Sequence, residues 1–554
     1  MRDTLTGRPA RAWTTSAGAP LAVGAVAALL ALVVVFALGL GREPRPPFPR
    51  ARVAAATLAD PDVRGFLQGH TWSSVKVAPL DRLHWRVTIQ DGPRPLLDAS
   101  LGPDGRVADL SGHPPGVHPP GSTEVWALPV LLLLTALFCC ATAVVPARSM
   151  RNLDVAVLGL GATASLILDD QRLVRAQILV GSAMLAYVAG RAAWTAVRPA
   201  RQSSTGTLWS HVTVRLDSRE RERILKTVAF ATVFLGVLVT VTSTGLSDVG
   251  FAGLAGATAL THGLLPYGHI TTEIVHGDTY PLLTYVLYVP FALVSPVDDS
   301  FDGMDGALHL NAICLVLTAV LVYRAARRLG SAEAALLLAL AWLAFPPVLM
   351  AASGGGNDVP TALWPALALA LWHRPGWSAL ALGVAGWVKA VPAIALVGRL
   401  AQLRGRDLVV ACVAVAAVTA AVGVALLAMG GGHGPTQMLD ALRFQVERGS
   451  YHSLWRQVGS LGAQRVFEAL TIGFIVASGW LVATRPELRG DLRRVAALIA
   501  ADMLLVQLGA NYWTPAYLSW VMPFILVGLL LPPSGAAAVP SALPRSRPLA
   551  RHAP

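Results

Sequence analysis

Residues 245–281 read GLSDVGFAGLAGATALTHGLLPYGHITTEIVHGDTYP and follow directly on an apolar run. Asp248, Glu273 and Asp278 bring carboxylates, His262, His269 and His276 bring imidazoles, and Tyr267 and Tyr280 lie among them. A carboxylate beside an attacking hydroxyl can take its proton. Farther along, ASGGGNDVP carries Asn357 and Asp358, GWVKAVP carries Lys389, LRFQVERGSYHSLW carries Arg448 and His452, and NYWT carries Trp513. Lys389 stands in a strongly apolar stretch, where an ammonium is costly unless it snorkels or meets an anion. Lys389, Arg448 and His452 are the cations and donors that a phosphate leaving group needs. Each residue also has an ordinary role open to it. Asp248 fits a helix cap, Gly354–Gly356 a flexible turn, and Trp513 an interfacial anchor. Convergence on one side of a membrane is what turns the set into a site.

The rest of the chain must supply that convergence. It has 554 residues, 54% hydrophobic and 14% charged. Such a balance marks an all-α polytopic membrane protein. Apolar runs at 20–41, 124–146, 153–169, 173–195, 224–244, 307–325, 332–351, 358–373, 407–428, 465–483, 494–510 and 514–532 are the candidate spans. The stretch 281–297, with Pro281, Pro290 and Pro296, reads as a re-entrant piece, and 377–398 as two short helices broken near Lys389–Pro392. The total is about 12–14 crossings. The net charge of +12 comes from arginines clustered between spans, as topology signals are, and nucleic acid is not an expected partner.

Basic loops stay in the cytoplasm. Arg2, Arg8 and Arg11 put the N-terminus there, and the Arg-rich linker 197–226, the segment YRAARRLGS and Arg485–Arg494 mark further cytoplasmic loops. Both termini are then cytoplasmic, and the polar segments holding Asp248, Asn357, Lys389, His452 and Trp513 emerge on the outer side. The expected division is a tail and first span (1–41), an α+β insert (42–123), three added spans with a basic linker (124–223), a core (224–532) and a cytoplasmic tail (533–554). In the insert, a helix at 52–68 precedes alternating strands with Asp-Gly turns at 91–92 and 104–105. The insert resembles PepSY-type domains.

No Walker A motif points to ATP, and the four cysteines, all in apolar runs, show no metal-binding spacing. No metal and no cofactor is expected. An outward-facing site at the membrane suits a lipid-borne activated sugar, because nucleotide sugars are cytoplasmic. A transporter or flippase is the competing reading, although no inverted repeat is visible. A scaffold acting through the insert alone is a third.

The motifs resemble those of GT-C glycosyltransferases: DVGFAGLAGATALTHGLLPY and HGDTYPLLTYVLYVPFALV as the first external loop, GGNDVPTALWPALALALW with ALGVAGWVKAVPAIAL as the next block, LRFQVERGSYHSLW as the later loop, and NYWTPAYLSWVMPFIL as the last span. They are most similar to glycosyltransferase family 87, the polyprenyl-phosphate-mannose-dependent mannosyltransferases, over about 224–532. The resemblance implies inverting transfer of mannose or a similar sugar from a polyprenyl-phosphate donor to a lipid or glycan acceptor, without a metal. It implies Asp248 as general base and Lys389, Arg448 and His452 near the donor phosphate. Tyr267, His276, Asp278, Tyr280, Asn357, Asp358 and Trp513 complete the expected substrate-binding set. Relatives often carry Glu-Ser after the loop's Arg-Gly, where this chain has His452–Ser453. The Ala-, Arg-, Gly- and Val-rich composition suits a bacterial plasma membrane and envelope glycan synthesis.

Overall fold

Among the described residues, prolines open several of the helices and glycines close others, and several of these helices are short. A computed structural model describes residues 46–79, 84–92, 94–112, 127–145, 149–168, 173–198, 206–213, 216–243, 247–270, 277–297, 304–447 and 452–531. The expected first span 20–41 and the tail after 532 lie outside the described residues, as do Glu273, His276 and Arg448.

Among the described residues, six helices are long and apolar enough to cross a bilayer: Met150–Ile167, Val174–Val197, Ser218–Val241, Asp305–Leu329, a run beginning at Gly405, and Gly462–Thr484. The pair Ala332–Ala344 and Pro346–Ser353 passes the same test only when taken together, as a broken span or a re-entrant loop, and is bent by 52° where Pro346 and Pro347 interrupt the ladder. The other expected spans are shorter or less apolar. Asp358–Ala370 has 13 residues and Pro375–Val388 has 14, each rising only about 20 Å against a hydrocarbon layer of about 30 Å. The expected break near Lys389 is present. The helix stops at Val388, Lys389 is extended (φ −152°, ψ 128°), a short 3-10 turn covers Val391–Ile394, and Ala395–Gln402 resumes the helix. The stretch 281–297 contributes one 11-residue helix, Leu282–Ala292, with Pro290 inside it.

Arginines gather at one end of the bundle and tie helix ends together. Arg494 Nε donates to Ala196 O at 2.6 Å, Arg493 Nη2 to Leu531 O at 2.6 Å, and Arg399 Nη2 to Trp372 O at 2.6 Å. These bonds use guanidinium donors to satisfy carbonyls that helix C-termini leave open. The helices before residue 224 pack on those after it. Val174–Val197 lies against Leu492–Gly509, and Gly181 allows it, because a Cβ there would stand 2.2 Å from the Trp513 ring.

The insert forms the expected meander, four antiparallel strands in the order Ser74–Pro79, Trp85–Asp91, Arg94–Leu101, Val107–Gly112. Its turns use Gly92 (φ +58°) and Gly105 (φ +80°), positions that L-residues with side chains rarely occupy. Val87 faces Ala99 and Ile89 faces Leu97, and these join Val53, Val63 and Phe66 in a separate small core. The single helix expected at 52–68 is instead two, Arg50–Ala59 and Pro61–Leu67. Pro61 cannot donate to the first helix, and Asp60 caps the second through Asp62 N at 3.0 Å. Of the cysteines, Cys314 is buried, whereas Cys140 and Cys412 are exposed on apolar helices.

Candidate active site

The Gly354–Asn357 turn is the point where the polar segments meet. Ser247 N donates to Gly354 O at 2.8 Å, which brings the start of the helix Asp248–Thr261 onto the turn. Gly250 permits the contact, since a Cβ there would meet Gly355 O at 2.6 Å. One and two helical turns on, Cβ atoms at Gly253 and Gly256 would strike the rings of Tyr288 and Tyr285 at 2.7 and 2.2 Å. Glycine at every third position thus opens one face of the helix to the turn and to the two buried tyrosines of Leu282–Ala292. Asn311, fully buried, donates to Gly356 O at 2.8 Å and holds the turn from the other side. Asp248 is exposed at the head of this helix, its Oδ1 accepting from Val249 N at 2.8 Å.

Immediately after the turn, Asn357 is fully buried and Asp358 is 8% exposed. Lys389 Nζ donates to Asp358 Oδ1 at 2.6 Å and to Asn357 Oδ1 at 2.9 Å. The ammonium also lies 4.4 Å from the Trp520 ring centroid, 4.6 Å from Tyr517 and 5.9 Å from Tyr280. An ammonium in this setting is held by a carboxylate and by aromatic faces that attract positive charge. Trp520 Nε1 donates to the same Asp358 oxygen at 2.7 Å. Among the described residues, Asn357 Nδ2 and Ser247 Oγ are buried without a hydrogen-bond partner, and both groups flank Gly356.

His452 reaches this cluster through aromatic rings. Its ring centroid is 5.2 Å from Tyr512, Tyr512 is 5.9 Å from Tyr517, and Tyr517 is 4.3 Å from Trp520. Trp513 N donates to His452 O at 3.0 Å, while the Trp513 side chain turns away, 4% exposed, donating to Gln507 Oε1 at 3.2 Å and packing on Gly181. The insert joins the same end: His84 Nε2 stands 3.5 Å from Arg456 Nη1.

On the other flank, Tyr267 OH donates to Tyr280 O at 3.1 Å, and Asp278 Oδ2 accepts from Gly268 N at 2.9 Å. Gly268 has φ +76°. Burial, and then the Asp278 charge, hold the Tyr267 phenol above its usual range. Tyr280 therefore links Tyr267 and Asp278 to Lys389.

The structure thus brings together Asp248, Tyr267, Asp278, Tyr280, Asn357, Asp358, Lys389 and His452 at one end of the bundle, with Trp513 behind them. The arginine-rich helix ends described above lie at the other. Sequence reasoning missed Trp520, Tyr517, Ser247 and the glycine face. Trp520 had a signal, an indole in mid-helix rather than at a span end, and GxxGxxG after Asp248 was the other.

Residues 279–508 match the family model of glycosyltransferase family 87. Over that segment, about two fifths of the chain, it is similar to family 87 glycosyltransferases. The match indicates a membrane glycosyltransferase, and the GT-C-type resemblance stands on the same segment. The family segment takes in Tyr280, Asn357, Asp358, Lys389 and His452, whereas Asp248, Tyr267 and Asp278 precede it. No curated protein matches the chain, and no solved structure does.

Proposed function

We propose that this glycosyltransferase moves a sugar, mannose or a similar hexose, from a polyprenyl-phosphate donor to a lipid or glycan acceptor on the outer face of a bacterial plasma membrane. The observation that carries this reading is the setting of Lys389, an ammonium held among Asn357, Asp358, Tyr517 and Trp520 in an apolar helix bundle. Asp358 and Lys389 sit at the ends of two short helices joined by the 371–374 turn, each rising about 20 Å against a hydrocarbon layer of about 30 Å. A cationic group in such a setting suits the phosphate of a lipid whose chain remains in the bilayer. Asn357 Nδ2 and Ser247 Oγ, without a hydrogen-bond partner among the described residues, supply further polar atoms.

In the proposed reaction, Asp248 takes the proton of the acceptor hydroxyl as its oxygen attacks the anomeric carbon. The bond between that carbon and the phosphate oxygen breaks, and the configuration inverts. Charge develops on the departing phosphate, and Lys389, His452 and Arg448 stabilise it there; preorganised electrostatics of this kind is commonly the largest contribution to catalysis. Asp358 and Trp520 fix the position of Lys389. Membranes containing the protein, given a labelled polyprenyl-phosphate sugar, should move label into lipid or glycan. Absence of transfer from such donors, with the protein folded and inserted, overturns the reading.

A further inference from the structure

An open cleft of about 380 Å³ lies beside the Lys389 cluster, between the loop that ends at Tyr280 and the helix Gly434–Glu447. Its size falls within the about 300–1,000 Å³ of small-molecule sites. Its base is an apolar seam in which Leu265, Tyr267 and Tyr285 pack on Leu426, Met438 and Ala441. Gly434 makes the helix turn over that seam, since a Cβ there would meet Leu426 O at 2.2 Å. Asp278, Asp440, Gln437, Thr279, Tyr267 and Phe444 line its wall; Asp278 Oδ2 accepts from Gly268 N at 2.9 Å and Thr279 Oγ1 from Gln445 Nε2 at 2.6 Å.

No lysine or arginine lines this cleft among the described residues. Two carboxylates repel a phosphate, so the cleft is unlike the surroundings of Lys389. A ligand of many hydroxyls fits it: hydroxyls donate to the carboxylates, the amide both donates and accepts, and the apolar face of a sugar ring lies against an aromatic side chain. We propose that the cleft is the acceptor subsite and that it takes an uncharged hexopyranose of a glycan, with Asp440, Gln437 and Phe444 as the residues that recognise it. The proposal rests on the transferase reading given above. The two subsites then differ by charge and share one wall. Thr279 faces the acceptor cleft, and its neighbour Tyr280 faces Lys389.

Saturation-transfer NMR on the detergent-solubilised full chain tests this, with methyl α-mannopyranoside, methyl α-glucopyranoside and methyl α-galactopyranoside as neutral probes. Ethanolamine and glucose 1-phosphate serve as the charged ones. At least one neutral glycoside should bind, and Asp440→Asn should weaken it about tenfold, the loss expected for one hydrogen bond to a charged group. Gln437→Ala should weaken it as well. Asp440 and Gln437 are both exposed, so these variants fold. Binding of no neutral glycoside, equal binding in both variants, or tighter binding of ethanolamine or glucose 1-phosphate overturns the proposal. A failure of polyprenyl-phosphate transfer with Asp440-dependent glycoside binding would therefore remove the donor reading and leave a glycan site; the opposite pattern would remove only the cleft.

Discussion

Trp520 and Lys389 donate to one oxygen: Asp358 Oδ1 accepts the indole hydrogen at 2.7 Å and the ammonium at 2.6 Å. The helix Leu518–Ile525 and the mid-chain break at Lys389 are therefore locked through a single buried carboxylate. Removing the indole hydrogen while keeping an aromatic ring, Trp520→Phe, should destabilise the protein by about 1.5–3 kcal/mol, the usual range for a hydrogen bond to a charged group. Thermal unfolding in detergent measures it, and sugar transfer should fall with it.

Breaking the ion pair from one side leaves a buried charge uncompensated. Lys389→Met should cost about 3–5 kcal/mol, read as a lowered unfolding midpoint. Adding Asp358→Leu to that variant should restore much of the stability and none of the transfer. Recovery of transfer in the double variant would show that the pair is structural only.

The glycine face after Asp248 is a packing requirement. Gly256→Ala places a methyl group 2.2 Å from the Tyr285 ring, and overpacking of this kind costs about 1–3 kcal/mol. Gly190→Ala is the control, because nothing lies within 4 Å of its Cβ position. It should be neutral or stabilise by up to about 1 kcal/mol, the helix preference of alanine over glycine. Equal unfolding midpoints for the two variants would contradict the packing account.

Tyr267 gives a prediction with a sign. Its folded phenol is raised, by burial first and by Asp278 second, whereas the unfolded chain loses that proton near about pH 10. Between those two values the folded state holds a proton that the unfolded state has released. The contribution is complete below about pH 10 and is lost as the pH rises through the folded value. The stability advantage of the native protein over Tyr267→Phe should therefore be constant in neutral solution and shrink above about pH 10, as followed by urea unfolding.

Much of this was legible in the sequence, for identifiable reasons. The break at Lys389 was visible because a lysine and a proline interrupt an apolar run, and the meander because Asp-Gly pairs punctuate alternating residues. Helix lengths were less legible. Hydropathy scores apolar runs, and it does not register that the helices Ala332–Ala344 and Pro346–Ser353 meet at a bend of 52°. The partnership of Asp358 with Trp520 spans 162 residues of sequence, a separation across which no local pattern operates. Trp513 carried an interfacial signature, yet its ring meets Gly181 of an added helix, a contact that only the packing of the two modules creates.

The central claim is that Asp248, at the head of the glycine-faced helix, serves a transfer from a lipid phosphate held near Lys389. Incubating membranes that contain native protein or Asp248→Asn with a labelled polyprenyl-phosphate sugar tests it most directly. Transfer by the native protein, reduced about 10²–10⁴-fold in the variant with an unchanged unfolding midpoint, is the predicted result. Native-level transfer by Asp248→Asn, or no transfer by the native protein, contradicts the account.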